Sequence, residues 1–427
     1  MVLKVRVPGK MVGGDVEEGY GPVADAFRAN FASGVEVGAA CAVYKDGVKV
    51  VDLWGGYRDG KTSQPWEEDT LVTVFSTTKG VASIAIAVAH SRGLLDYDER
   101  VARYWPEFAQ SGKGDITVRQ LLSHQAGLPV IDIPLKLEDL ASLDRMSEVM
   151  ALQAPVWEPG GRHGYHGITL GWYEGELIRR VDPAGRSLGG FFADEVAGPL
   201  GLEFYIGLPD EVPAERLATI HGYKPPEMLL HLGEMPRKFV TGFLNPRSIT
   251  YKAFGNPRIL GLIGAIRLDH LHGVMNNYNR RDVLRVEIPA ANGTGRVSDI
   301  AGAYGELATG GRRLGITTGT LDALANPAVP PSGGLIDVVL RLESVFSLGY
   351  VKPFPSFRFG STAGLAYGTP GAGGSFGFAD PDTGVGFAYA MNRSGFHLWD
   401  DPRELRLRSA LYESVLDAGS QSPDASR

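Results

Sequence analysis

Strand-like patterns occur at the two ends of this chain and helix-like patterns fill its middle, which leaves few ways to build a sheet. Residues 36–58, "EVGAACAVYKDGVKVVDLWGGYR", read as a β-hairpin turning at Lys45-Asp46-Gly47. Strand patterns return in "SVFSLGYVK" (344–352), "SFRFGSTAG" (356–364) and "GSFGFADPDTGVGFAYAMN" (374–392), the last a hairpin around Asp380-Pro381-Asp382-Thr383-Gly384. Between them, helical stretches such as "ITLGWYEGELIRRV" and "SLGGFFADEVAGPLG" alternate with Pro- and Gly-containing connections. The economical arrangement is α+β: one antiparallel sheet assembled from both ends, flanked by helices, with a mainly helical lobe inserted. Residues 1–95 and 286–417 are expected to form the sheet lobe, 96–285 the helical lobe, and 418–427 a disordered tail. A final helix is expected from "WDDPRELRLRSALYESVLD", with Asp401 as N-cap, Pro402 at N1 and Glu404 completing a capping box. A cleft between the lobes is the natural place for a site.

With 44% hydrophobic and 21% charged residues, the 427-residue chain has the composition of a globular protein. A net charge of −7, with no basic block and no aromatic–basic interleaving, argues against nucleic acid as a partner. The single cysteine, Cys41, excludes an intrachain disulfide and reads as a small buried strand residue. The N-terminus "MVLKVRVPGKMV" lacks the apolar core and cleavage site of a secretory signal. The longest apolar run, "ASIAIAVA", falls well short of the roughly 20 residues that span a bilayer. The expectation is a cytoplasmic protein that neither enters a membrane nor requires a cofactor.

Chemistry enters at "LVTVFSTTKGVASIAIAVAHSRGLL" (71–95), where Ser76 and Lys79 begin an otherwise apolar helix that stops about Gly93. Residues three apart share a helix face, so the hydroxyl and the ammonium can meet. The partial positive charge of the helix start favours a developing alkoxide, and a desolvated lysine can take a proton from serine. Alone, the pattern also describes a capping serine followed by a lysine reaching solvent. In "WEPGGRHGYHGITLGW" (157–172), Tyr165 stands before a helix, where a phenol can face a cleft. A neighbouring ammonium is expected to lower its pKa. The glycines of "YGTPGAGGSFGFADP" (367–381) let backbone approach a ligand closely, and a strand edge there could offer an N–H to a carbonyl oxygen. The competing readings are a tyrosine packed in a loop and a flexible glycine turn.

Taken together, Ser76-x-x-Lys79, Tyr165 and the glycine-rich strand resemble the serine β-lactamase and penicillin-binding-protein superfamily, and most of all the class C β-lactamase-like family VIII carboxylesterases. "LLSHQAGLP", "YHGITLGW", "PLGLEFYIGLP", "EIPAANGTGRVSDIAGAYGELATGG" and "GFAYAMNRSG" carry the resemblance in order from about residue 20 to 415. It implies a β-lactamase/transpeptidase-like fold and a serine esterase acting on small-molecule esters of short to medium acyl chain. By the same analogy Ser76 is the acylated nucleophile, Lys79 shuttles its proton, and Tyr165 is the partner base. The oxyanion would lie between the backbone N–H groups of Ser76 and Ala372. An acyltransferase, an amidase or weak β-lactamase with the same acyl-enzyme, and a non-catalytic sensor keeping the fold, remain alternatives.

The chain departs from the β-lactamase pattern at two motifs. Tyr-x-Asn is replaced by Tyr165-His166-Gly167, and Lys-Thr-Gly by Thr369-Pro370-Gly371. Many of the resembling esterases carry histidine at the first position of the latter, so Thr369 departs from them too. Thr369, Gly371 and His166 remain candidate substrate-binding residues, and Arg393 could replace the missing cation. Two G-x-S-x-G matches surround Ser187 and Ser375; the first reads as a helix N-cap and the second as part of a strand. The histidine pairs His163/His166 and His270/His272 lack metal-ligand spacing, and His124 reads as structural. Within Tyr223–Arg285, the Met, Leu and Phe residues are expected mostly to pack, with a few lining a pocket.

Overall fold

The computed structural model describes residues 7–222, 231–255 and 274–416. The tail at 418–427 and His270 and His272 lie outside the described residues. In chain order the strands are β1 (Val12–Val16), β2 (Gly38–Lys45), β3 (Val48–Asp59), β4 (Gln64–Pro65), β5 (Val72–Thr73), β6 (Phe204–Tyr205), β7 (Thr294–Gly295), β8 (Tyr367–Pro370), β9 (Phe376–Asp380) and β10 (Val385–Met391). The helices that bear on the site are α1 (Gly21–Ala32), α2 (Thr77–Ser91), α3 (Thr169–Val181), α4 (Val297–Ala308) and α5 (Pro402–Leu411).

The main sheet runs β1-β3-β2-β10-β9-β8, with β4 on β3, and every pairing is antiparallel. Its two halves meet where β2 pairs β10, Ala39 opposite Met391 and Lys45 opposite Val385. The sheet is thus the antiparallel α+β arrangement expected from the strand distribution, and it agrees with the β-lactamase/transpeptidase-like fold that the resemblance implies. The first hairpin closes on Asp46 and Gly47, both at positive φ (51° and 79°), the turn that matches strand twist. Along β2 and β10 the side chains alternate between two cores. Ala39, Cys41, Val43, Phe387 and Tyr389 share one apolar cluster with residues of α1 and α5, whereas Ala40, Ala42, Ala388 and Ala390 share the other with residues of α2 and α4.

Small residues on the second face let α4 lie very close to the sheet. A Cβ on Gly386 would stand 2.2 Å from the Gly305 nitrogen and 2.4 Å from the Ala301 carbonyl oxygen. Helix α2, buried along nearly its whole length, packs beside β8 and β9 and against α3. It ends in a Schellman motif, Leu94 N–H to Ala89 C=O (3.0 Å) and Gly93 N–H to His90 C=O (2.9 Å). The short sheet β5-β7-β6 fastens the chain entering α2 to Thr294 and Gly295.

Three local expectations need correction. Residues 344–352 and 356–364 form no strands; they run irregularly, with single bridges Phe346–Val351 and Phe354–Phe357 and one from Val351 to Gly368 at the edge of β8. Pro353 and Pro355 remove backbone donors there, and Phe354, Phe357 and Phe359 bury their rings beneath the sheet. At α5, Asp401 does accept the Arg403 N–H and Pro402 does open the helix, but no capping box forms. Glu404 is buried and pairs instead with Arg408 at 2.7 Å, because a buried guanidinium needs a carboxylate partner. Among the described residues no helix is long and apolar enough to cross a membrane.

Candidate active site

The turn into α2 is held in an uncommon conformation. Phe75 has φ of 48° although it is not glycine, a position that costs on the order of 1–2 kcal/mol. Its ring is anchored edge-on against Tyr278, 5.1 Å between centroids. The Thr77 and Thr78 N–H groups close the turn onto Val74 and Phe75 at 3.1 and 2.9 Å. Ser76 therefore stands at the helix start, yet its side chain makes no capping bond. Its Oγ lies 2.8 Å from Lys79 Nζ, which also reaches the Ala290 carbonyl oxygen at 2.8 Å. Lys79 is only 1% exposed, so the alternative of a capping serine with a solvated lysine does not apply.

Burial pulls Lys79 down to about 7, against an opposing pull from Glu174. Glu174, on α3, is itself pushed up to about 8 by burial while its Oε1 accepts the Ser83 hydroxyl at 2.6 Å. Tyr165 completes the group. It lines the same cavity as Ser76, and Lys79 Nζ stands 4.9 Å from its ring centroid. The lowered tyrosine pKa expected from that neighbour does not occur: apolar enclosure pushes the phenol up to about 12. Desolvation penalises both charges, so amine and phenol are both neutral above pH 7.

Across from Ser76, the turn 371–375 is fixed tightly. Gly371 N–H donates to the Ser375 carbonyl at 2.7 Å, and Ser375 Oγ donates to the Val74 carbonyl at 2.8 Å. A side chain at Gly371 would meet Ser375 Oγ at 2.2 Å and the Val74 oxygen at 2.5 Å. From the other side the Arg403 guanidinium, paired with Asp401, donates to the Gly373 carbonyl at 2.8 Å. Within this rigid frame, the N–H groups of Ser76 and Ala372 donate to nothing among the described residues. Both residues line the same cavity. Two fixed donors without acceptors beside a serine hydroxyl are suited to a developing oxyanion.

That cavity encloses about 300 Å³. Its floor is Ser76 and Tyr165, and its walls are chiefly Phe254, Phe346, Phe354, Met235 and Trp399. The mixture of packing and pocket residues expected in 223–285 is present: Met235 and Phe254 line the cavity, Phe239 is in the interior, and residues 223–230 and 256–273 lie outside the described residues. Phe254 also explains Gly167, since a Cβ there would lie 2.5 Å from its ring. An aromatic ring occupies the space into which a side chain at 167 would project.

Not every candidate reaches the cavity. Thr369 is buried behind it, its Oγ1 beside Gly80. Gly371 shapes the turn, but its N–H is already engaged. His166 is 0% exposed; its Nε2 accepts the Leu128 N–H (3.1 Å), and its backbone N–H donates to His124 Nδ1 (3.1 Å). Burial pulls it down to about 3, so it is a neutral brace behind Tyr165 and not a substrate contact. Arg393 does not line the cavity, whereas His397 does. Ser187 caps a helix, accepting the Gly190 N–H at 3.1 Å. Sequence reasoning missed Ala290, whose contribution is a backbone carbonyl and carries no side-chain signal. It also missed the cavity walls at 344–354 and 394–399, because the former read as a strand.

The chain is similar to known proteins over most of its length. Residues 23–411 match the Beta-lactamase family. The Esterase/beta-lactamase LipL of Mycobacterium tuberculosis is 32% identical over 393 residues, covering 90% of this chain and 84% of that protein. The crystal structure of a family VIII carboxylesterase is similar with a TM-score of 0.79 at 35% identity, covering 94% of this chain and 99% of that one. EstA from Arthrobacter nitroguajacolicus Rue61a gives a TM-score of 0.79 at 29% identity over 96% of this chain and 100% of that one. With the main sheet from β2 to β10 and the serine–lysine turn inside the matched span, the chain belongs to the beta-lactamase family.

Proposed function

We propose that this protein is a serine esterase that hydrolyses carboxylic esters of short to medium acyl chain through an acyl-enzyme on Ser76. The observation that carries this reading is Ser76 Oγ on the floor of an apolar cavity, 2.8 Å from Lys79 Nζ, with two unpartnered N–H groups alongside. Ser76 Oγ attacks the ester carbonyl as its proton passes to the neutral Lys79 amine. The N–H groups of Ser76 and Ala372 hold the oxyanion. The proton then reaches the leaving alcohol through Tyr165, whose neutral phenol can give one proton and regain another. Water enters for deacylation and returns the proton along the same pair. The similarity to a family VIII carboxylesterase and to an esterase/beta-lactamase supports ester chemistry.

A non-catalytic sensor of the same fold would have no use for a buried lysine held at a serine hydroxyl. Labelling with an activated fluorophosphonate separates the two readings. The protein should be labelled stoichiometrically, and Ser76→Ala should abolish both labelling and hydrolysis of p-nitrophenyl esters by several orders of magnitude while staying folded. Near-normal turnover in Ser76→Ala, with loss in Ser187→Ala instead, would overturn the assignment.

A further inference from the structure

Asp337 is a carboxylate 172 residues from Tyr165 in sequence and in contact with its backbone. It is 0% exposed, and no cation pairs with it among the described residues. A buried carboxylate without a counter-ion is expensive unless hydrogen bonds satisfy it. Here they do. Oδ1 accepts the N–H groups of Val339 and Leu340, both at 2.7 Å, and Oδ2 accepts the Tyr165 N–H at 2.9 Å, with the Ser344 hydroxyl at 3.5 Å.

The distribution of these bonds shows why the residue is an acid. The turn 337–340 needs only Oδ1, and an asparagine oxygen would serve it equally well. An asparagine would, however, aim its NH₂ at the Tyr165 N–H, donor against donor. Only a carboxylate can close the turn and hold Tyr165 at once. The same turn carries Leu340 and leads to Ser344 and Phe346, all on the cavity wall. Phe346 lies parallel to the Tyr165 ring, 6.3 Å away.

We propose that Asp337 is the positioning residue for Tyr165: it pins the backbone of that residue, and through it the phenol, at Ser76, and joins this anchor to the cavity wall. The inference rests on reading Tyr165 as a proton-transfer group in the proposed ester hydrolysis. The phenol has one rotatable arm beyond its Cα, so releasing its N–H lets the hydroxyl drift from Ser76. A drift of about 1 Å costs up to roughly 100-fold in rate.

The test is a double-mutant cycle on p-nitrophenyl butyrate with Asp337→Asn, Tyr165→Phe and the pair. Asp337→Asn should lower kcat about 10- to 100-fold with KM within about twofold, and should add nothing in the Tyr165→Phe background. A near-normal kcat, a change confined to KM, or a loss that is multiplied in the double variant would each overturn the inference. Full activity of Tyr165→Phe alone would instead overturn the role of Tyr165, so the two failures are distinct. Should Asp337→Asn not fold, amide exchange in the unaltered protein decides the matter. The Tyr165 N–H is expected among the slowest in its segment, and rapid exchange would show it is not anchored.

Discussion

Lys79 can act as a base only with a lone pair, and burial supplies one near neutrality. Its ammonium is pulled from 10.5 to about 7 because the charged form has lost its water, with Glu174 opposing. Below that value the amine is protonated and cannot take the Ser76 proton; above it the lone pair is free. The expected kcat/KM for p-nitrophenyl butyrate therefore rises as pH passes about 7 and levels off above. A profile flat down to about pH 5, or one that still climbs through about pH 10 as an ordinary lysine would require, would show that Lys79 is not the base. At this scale the sequence was informative about position and silent about protonation. A serine and lysine three residues apart at the start of an apolar helix can meet, and the 2.8 Å contact shows that here they do. Whether Tyr165 is phenol or phenolate depends on the walls around it, and Phe254 and Phe346 come from segments no local pattern connects to it.

At the scale of elements, legibility followed turn chemistry. The hairpin at Asp46-Gly47 and the C′ glycine after α2 could be placed because those positions need positive φ. The phenylalanines of 344–359 misled because alternation mimics a strand, while the intervening prolines and the cavity they enclose hold the chain irregular. One close approach between elements gives a sharp expectation. Gly386 in β10 faces the backbone of α4, and both nearest atoms, at 2.2 and 2.4 Å, belong to main chain that no rotamer change can move. Gly386→Ala must therefore push the helix off the sheet, at a cost of about 1–3 kcal/mol. Thermal unfolding should show a clear drop in Tm. An unchanged Tm would mean that the helix and sheet are less closely coupled than their separation implies. Because α4 lies on the same face of the sheet as α2, some loss of turnover should accompany the drop.

Across the whole molecule, a sheet drawn from both chain ends could be read from where the strand patterns fall, whereas the character of the cavity could not. That character decides substrate class. Recognition of a β-lactam in the resembling enzymes implies a cation for its carboxylate and an amide for its side chain. In this chain residue 369 is threonine, buried behind the cavity, and Phe254 fills the space beside Gly167. Loss of one charge-assisted hydrogen bond is worth on the order of 1.5–3 kcal/mol, about one to two decades in discrimination. The apolar walls add a desolvation penalty for any carboxylate that enters. A neutral ester meets neither obstacle and presents a more reactive carbonyl than an ordinary amide does. The kcat/KM for p-nitrophenyl butyrate should accordingly exceed that for a chromogenic cephalosporin by at least about two decades. Among the described residues on the cavity wall, His397 is the basic side chain that could narrow the gap. Its imidazole could offer the carboxylate a hydrogen bond and so support some cephalosporin turnover. Equal values for the two substrates at neutral pH would sink the expectation, and loss of that cephalosporin turnover in His397→Ala would name the residue responsible.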